Sequence, residues 1–338
     1  MATKQRQVKT VSINPSKELL TTLNITKAEL TTLLSCDNYI SFSRIKKNGN
    51  KRWIDAPTKR LKSLQKIIMY KLLYTIAPHP AACGFIVGRG PIDGAIKHYS
   101  DGKKVLLSLD LDNYFPTIKY PQVIAAFYFI LHKMNAVQKT RFDIKNDSIV
   151  LTELCTYKLQ LPQGAPSSPA LANIITKPLD IMLSKLAKSN DITYTRYADD
   201  ITFSSKNLKF DMDLLLSKIK LRVQISGFLV NNNKTRVLRP HRRQSITGIV
   251  INDVLGVSKP YYKNTRAAIH NITTGKTVLT DKKIEQLEGR ISWISSINGD
   301  KGKKLINDLE KAKIINRKNR KCQQLEKQQQ KNLQSTNL

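Results

Sequence analysis

Hydrophobic and polar positions repeat with two different periods along this 338-residue chain, and the changes of period mark out its elements. Thr26-Lys27-Ala28-Glu29 fits a capping box, so a helix is expected from Thr26 through Leu34. Ile40 to Pro57 reads as a hairpin turning at Lys47-Asn48-Gly49, because Asn-Gly favours a type I′ turn. Leu61, Leu64, Ile68 and Leu72 then recur at helical spacing up to the break at Pro78. A glycine-rich loop follows from Gly84 to Gly94, and Val105 to Asp110 is an apolar strand ending in an acid. Val123 to Leu131 reads as a buried helix, Asp211 to Val223 carries a helical pattern, and Ser245 to Ile251 reads as a short strand. Tyr194-Thr195-Arg196 and Ile201-Thr202-Phe203 are both strand-like by their β-branched and aromatic residues. Between them stand Asp199 and Asp200, which predicts a β-hairpin with two acids at its tip.

The character of the chain changes after about Gly256. Ser258-Lys259-Pro260 reads as a cap with proline near a helix start. Ile284, Leu287, Ile291 and Ile294 form one stripe of a second helix behind Asp281, and a third helix runs through Leu305, Ile306 and Leu309. A small helical C-terminal domain is therefore expected. Residues 301–338 hold eleven Lys or Arg and three acids, and the final Gln/Lys-rich stretch has few apolar residues, so a disordered or solvated basic tail is expected there.

Charge sharpens this picture. Lys and Arg total 57 against 25 acids, a formal net charge of +32. At 41% hydrophobic residues the chain can bury a sizeable core, so the excess charge points to a polyanionic partner, nucleic acid before a membrane surface. The longest apolar run, Val123 to Leu131, is too short to span a bilayer, and the polar, basic N-terminus resembles no secretory signal. Cys36, Cys83, Cys155 and Cys322 fit no zinc or redox spacing and read as free thiols in a reducing compartment, which places the protein in the cytoplasm without a membrane partner.

The candidate chemistry lies in the acids. Adjacent carboxylates at Asp199 and Asp200 repel, and such a pair beside apolar strands calls for a cation. Mg²⁺ is the natural choice, since it takes carboxylate oxygens together with substrate phosphates. Asp110 and Asp112 stand at a strand end, where a period of two puts both on one face. Carboxylates from these two places can hold two Mg²⁺ ions roughly 3.5–4 Å apart. One would activate an attacking hydroxyl and the other would stabilise a leaving pyrophosphate. Between the acids, Leu161-Pro162-Gln163-Gly164-Ala165-Pro166-Ser167-Ser168-Pro169 predicts a rigid loop before an apolar helix, able to bring its backbone close to a flat base pair.

Asp110 to Phe115, the Gln163 loop and Tyr197-Ala198-Asp199-Asp200 resemble, in order and spacing, palm motifs A, B and C of reverse transcriptases. Arg52 to Gln65 and Gly84-Phe85 through Arg89 resemble the two fingers motifs, Gly227 through Lys234 resembles motif D, and Thr247-Gly248 resembles the primer-grip region. The resemblance implies an α+β right-hand polymerase: fingers, a palm of antiparallel sheet with helices, and a small helical thumb. The segments expected are 1–104 (N-terminal segment and fingers with part of the palm), 105–255 (palm with inserted fingers elements), 256–320 (helical basic thumb) and 321–338 (disordered basic tail). It also implies that Asp110, Asp199 and Asp200 are the catalytic carboxylates, with the Leu111 carbonyl as a further metal ligand. Phe115 would block a ribose 2′-hydroxyl, Gln163 would line the dNTP pocket, and Lys234 would approach the triphosphate and protonate pyrophosphate. Arg52 and Lys62 would contact the triphosphate.

Ala95-Ile96-Lys97-His98 and Ile246-Thr247-Gly248 are similar to motifs of bacterial retron reverse transcriptases, with Gly94 and Ile246 standing where those enzymes usually carry Asn and Val. That family resemblance implies a cognate structured noncoding RNA, priming from a guanosine 2′-hydroxyl, a branched RNA–DNA product (msDNA), and a role in antiphage defence with a separate effector protein. Arg266, Lys276, Arg290, Lys301, Lys303 and Lys304 would contact RNA, as Thr247 and Gly248 would contact primer and template. The alternatives are a group II intron-like or diversity-generating reverse transcriptase, or a catalytically inactive RNA-binding module on the same fold.

Overall fold

A computed structural model describes residues 14–45, 49–100, 102–277 and 280–335. The chain divides into two compact units, one of residues 1–94 and 104–239, the other of residues 95–103 and 240–338. Most of the stretches expected as fingers and palm lie in the first unit, while residues 95–103 and 240–255 of them lie in the second.

In the first unit, α1 (Lys17–Leu23) and α2 (Lys27–Ser35) lead into the hairpin β1 (Tyr39–Ile45) and β2 (Lys51–Pro57). The expected capping box is present: Glu29 N–H donates to Thr26 Oγ1 at 3.2 Å, and Thr26 N–H donates to Glu29 Oε2 at 3.1 Å. β1 and β2 pair antiparallel from Tyr39↔Pro57 to Ile45↔Lys51, while Lys47 and Asn48 of the expected turn lie outside the described residues. α3 (Lys59–Lys71) buries Leu61, Leu64 and Ile68, as its periodicity predicts. The glycine-rich loop is shorter than expected, because Pro91 starts α4 (Pro91–His98), where a missing N–H costs nothing.

The central sheet has the order β4-β5-β3-β6, built from β3 (Val105–Asp110), β4 (Thr193–Tyr197), β5 (Asp200–Ser205) and β6 (Arg236–Leu238), all neighbours antiparallel. Helices α5 (Tyr114–Thr117), α6 (Tyr120–Gln138), α7 (Ile144–Cys155), α8 (Ser168–Ser189) and α9 (Met212–Ile225) complete the unit. One continuous apolar core joins β3 and β5 to α3, α6, α7, α8 and α9. The helix expected at Val123–Leu131 is longer and only partly buried. Val123, Phe127, Ile130 and Leu131 face the core, while Tyr128 and Phe129 are exposed.

In the second unit, Ser245–Ile251 forms two short strands rather than one, β7 (Ser245–Ile246) and β8 (Ile249–Val250). Thr247 and Gly248 turn the chain between them with φ of 47° and 88°, the left-handed pair that a type I′ turn requires. Helices α10 (Lys259–Thr273), α11 (Asp281–Ile297) and α12 (Gly299–Ser335) pack around Ile269, Ile272, Leu287, Ile291, Ile294, Leu305, Leu309 and Ala312. Ser258 caps α10 and Thr280 caps α11 through their side-chain oxygens. The disordered tail expected from residue 321 is instead helical backbone, continuous with α12 to Ser335. Gln, Lys, Leu and Glu dominate that stretch, and these residues lose little rotamer freedom in a helix.

Candidate active site

Three segments of main chain converge at one end of the central sheet. β3 ends at Asp110, which pairs in register with Asp200, the first residue of β5. The two-residue turn Ala198-Asp199 joins β4 to β5, so the acids do stand at a hairpin tip. Leu111 N–H donates to the Asp199 carbonyl at 2.9 Å, and Asn231 N–H donates to the Asp110 carbonyl at 2.8 Å. These bonds lock the ends of β3 and β5 to the segment before β6, and with them the origins of three carboxylates.

Asp110 is buried, Asp199 half-buried and Asp200 the most exposed of the three. Desolvation, and then the charge of Asp110, raise the Asp199 carboxyl above its usual range. Desolvation pushes Asp200 up to about 6, with Asp199 and Asp110 adding to it. A cluster so frustrated attracts positive charge. Lys234, in the turn at Asn232–Lys234, places its Nζ 2.6 Å from Asp110 Oδ1. Partial burial works most strongly against that ammonium, but the bond to Asp110 and the charges of Asp110, Asp199 and Asp200 together outweigh it and raise the lysine's pKa.

Among the described residues no three His, Cys, Asp or Glu side chains converge as a ready-made metal cage. The donor chemistry nevertheless suits a hard divalent cation. It offers three carboxylates on fixed strand ends, and the Lys234 ammonium stands in for the positive charge they need. Asp112, expected on the same strand face as Asp110, lies past the end of β3. Its side chain accepts from Asn113 Nδ2 at 3.1 Å.

The residues expected to meet the nucleotide lie on several elements of the first unit. Phe115 sits in α5, five residues beyond Asp110 in sequence, and packs within an aromatic group: its ring centroid lies 5.3 Å from that of Tyr114 and 6.5 Å from that of Phe85. The Gln163 carbonyl accepts from Asp55 N–H of β2 at 3.0 Å, which ties the β1–β2 hairpin to the Gln163 loop. Gly164 makes this approach possible, since a Cβ there would lie 2.7 Å from the Asp55 carbonyl oxygen. Arg52 projects from β2, and its charge acts on Asp199. Lys62 is exposed on the first turn of α3.

In the second unit the structure brings together two of the basic residues expected to contact RNA. A groove of about 780 Å³ between α10 and α12 is lined by Lys263, Arg266, His270, Lys304, Lys311 and Asp308, among others. Arg266 and Lys304 are two of the residues expected to contact RNA. Lys276, Arg290, Lys301 and Lys303 do not line it; the Lys301 ammonium lies 5.8 Å from the centre of the Tyr262 ring instead. Lys263, Arg266 and His270 stand three and four residues apart, a spacing that puts them on one helix face and is visible in the sequence.

Residues 45–265 match the family described as reverse transcriptase (RNA-dependent DNA polymerase). The chain is 33% identical over 264 residues to retron Ec86 reverse transcriptase of Escherichia coli, covering 77% of this chain and 76% of that protein. It is 32% identical to retron Mx162 reverse transcriptase of Myxococcus xanthus, covering 80% of this chain and 60% of that longer protein. A telomerase from Candida albicans, solved in complex with a fragment of telomeric RNA, aligns with a TM-score of 0.46 at 11% identity, over 83% of this chain and 58% of that one. The three acids and Lys234 meet at one sheet end, and the family match over residues 45–265 together with the 33% identity to a retron enzyme establishes that the chain belongs to the retron reverse transcriptases, RNA-dependent DNA polymerases.

Proposed function

We propose that this enzyme copies part of a cognate structured noncoding RNA into DNA, starting from the 2′-hydroxyl of an internal guanosine, and so makes a branched RNA–DNA molecule (msDNA). The observation that carries the chemistry is the register of β3 and β5, which sets Asp110 opposite Asp200 with Asp199 in the adjoining turn. Asp110, Asp199, Asp200 and the Leu111 carbonyl would hold a pair of Mg²⁺ ions. When bound, these ions would lower the pKa of the attacking hydroxyl and neutralise charge at the α-phosphate. The protein's own residues do the positioning. Phe115 excludes a 2′-hydroxyl on the incoming sugar and so selects dNTPs, while the Gln163 loop fixes the base. Lys234 keeps a proton beside Asp110, from where its ammonium can turn to the triphosphate and protonate the departing pyrophosphate. Arg52 supplies positive charge for the triphosphate, and Lys62 is a weaker partner for it.

The RNA partner is supported by charge. The +32 excess and the basic groove of the second unit suit a folded RNA, which is read through phosphates, shape and 2′-hydroxyls. Thr247 and Gly248 at the β7–β8 turn are proposed to touch primer and template. No helix among the described residues is long and apolar enough to cross a membrane. The site of action proposed is the cytoplasm, in a defence system against phage with a separate effector protein.

The test is to purify the protein from its native host and sequence the nucleic acid that comes with it. A DNA joined to an internal RNA guanosine through a 2′,5′ linkage, sensitive to debranching enzyme, is the expected product. Linear cDNA alone would remove the branched-priming reading while leaving the polymerase intact.

A further inference from the structure

Arg196 is fully buried, the largest such side chain among the described residues, and stands in β4 two residues before the turn that carries Asp199. An arginine in that place needs an explanation, because a buried ion pair is weak grounds for stability; apolar side chains of the same volume often serve as well. Its charge is met by Asp180 of α8, also fully buried. Nε donates to Oδ1 at 2.7 Å and Nη2 to Oδ2 at 2.6 Å, while the Tyr194 hydroxyl donates to the same Oδ1 at 2.7 Å.

This fork fixes the guanidinium plane and aims Nη1 away from Asp180. Nη1 reaches three oxygens: the Ala198 carbonyl at 3.0 Å, the Asn173 Oδ1 at 3.1 Å and the Tyr114 hydroxyl at 3.1 Å. Each belongs to a different part of the site. Ala198 is the first turn residue between β4 and β5, with φ of 55°, a left-handed conformation in a position that favours glycine. The carbonyl that Nη1 holds belongs to the peptide leading into Asp199. Asn173 lies in α8 after the Gln163 loop, and its Nδ2 donates to the Gly84 carbonyl at 2.9 Å. Gly84 in turn presses on the same turn, since a Cβ there would lie 2.8 Å from Ala198 N. Tyr114 precedes Phe115, contacts its ring, and has its hydroxyl 2.9 Å from Thr176 Oγ1.

We infer that Arg196 is a positioning residue for nucleotidyl transfer: through Nη1 it holds the Ala198-Asp199 turn and the Tyr114-Phe115 segment in one fixed relation. Arg196 touches no substrate. It sets where the Asp199 carboxylate stands and where the Phe115 ring stands, and so acts on both rate and sugar choice. Lysine cannot replace it, because a point charge on a single nitrogen cannot grip Asp180 with two bonds and reach three further oxygens. The inference rests on the assignment of Asp199 as a catalytic carboxylate and Phe115 as the sugar gate.

The test is steady-state incorporation of dNTP and rNTP on a primed RNA template by the full chain, with thermal melting alongside. Arg196→Lys is expected to lower kcat roughly tenfold to a hundredfold, in proportion to misplacement of a reacting group. The KM for dNTP should stay within about twofold, because ground-state binding is untouched. Tyr114→Phe deletes one hydroxyl and keeps the ring, and is expected to raise rNTP use relative to dNTP severalfold. A purely structural role would lower the melting temperature and leave both the kcat-to-KM split and the sugar ratio alone. A folded Arg196→Lys enzyme with wild-type kcat overturns the inference. Should that variant not fold, an unchanged sugar ratio in Tyr114→Phe overturns it. Asp199→Asn in the same assay separates the two levels: if it remains active the active-site assignment itself is wrong, whereas if it is dead and the two variants behave as wild type, only the role of Arg196 falls.

Discussion

Replacing Gly164 by alanine sets the fold against the site at one atom. The new Cβ would meet the Asp55 carbonyl oxygen at 2.7 Å and Ile54 Cγ2 at 3.0 Å, and the residue has φ of +143°, which L side chains rarely adopt. The backbone strain costs about 1–3 kcal/mol. Forcing a methyl group against a backbone carbonyl costs a further ~1–3 kcal/mol. That carbonyl belongs to β2 and cannot rotate away, so either the hairpin or the loop must retreat by several tenths of an ångström. Gln163 is the preceding residue, and its carbonyl is bonded to Asp55 N–H at 3.0 Å, so the retreat is passed to it. A 1 Å misplacement of a substrate-positioning group costs about a hundredfold, so a shift of about half that is expected to lower kcat/KM for dNTP roughly tenfold. The assay is single-nucleotide incorporation on a primed RNA template, titrated in dNTP. Gly275→Ala is the control: φ there is +73° and nothing lies within 4 Å of the added atom. It shares the backbone penalty, about 1 kcal/mol, without the contact. Its kinetics should match wild type. If Gly164→Ala also matches wild type in kcat/KM, the coupling of the β1–β2 hairpin to the nucleotide pocket is refuted.

Phe115→Val should raise rNTP incorporation by an order of magnitude or more, read as the ratio of kcat/KM values; no change removes Phe115 from the sugar-gate role. Lys234→Met should lower kcat about a hundredfold, the usual contribution of a positioned general acid. Single-turnover pyrophosphate release measures it, and wild-type release would leave the Asp110 contact as a resting-state ion pair only. Converting Lys263, Arg266 and Lys304 to Gln should weaken RNA binding and reduce the slope of log affinity against log salt by about 2. An unchanged slope would show that the groove between α10 and α12 does not meet phosphate.

Much of this arrangement is legible in the residues. The β4–β5 hairpin follows from β-branched and aromatic residues, the strand ending at Asp110 from its apolar run, and the α2 capping box from four consecutive residues. Local signals of this kind survive folding because nothing distant competes with them. The misses have both local and distant causes. Ser245–Ile251 reads as one strand because Ile246, Ile249 and Ile251 are apolar; Gly248 alone signals a turn, and its partner Thr247 is an unusual residue at positive φ. The tail beyond residue 320 reads as disordered from its polarity, whereas helix propensity carries α12 through it. Asp112 reads as a strand residue because the sequence does not show where pairing stops. Arg196 and Asp180 are sixteen residues apart and each resembles an ordinary surface charge until the fold buries both. A charged residue inside an otherwise uncharged strand is the one available hint.

The central claim is that Asp110, Asp199 and Asp200 form a single nucleotidyl-transfer site. Primer extension on an RNA template with dNTPs and Mg²⁺, comparing wild type with the Asp199→Asn/Asp200→Asn double variant, tests it most directly. The account predicts extension by the wild type and loss of all detectable extension in a double variant that still melts cooperatively. Extension at the wild-type rate by that variant would contradict it.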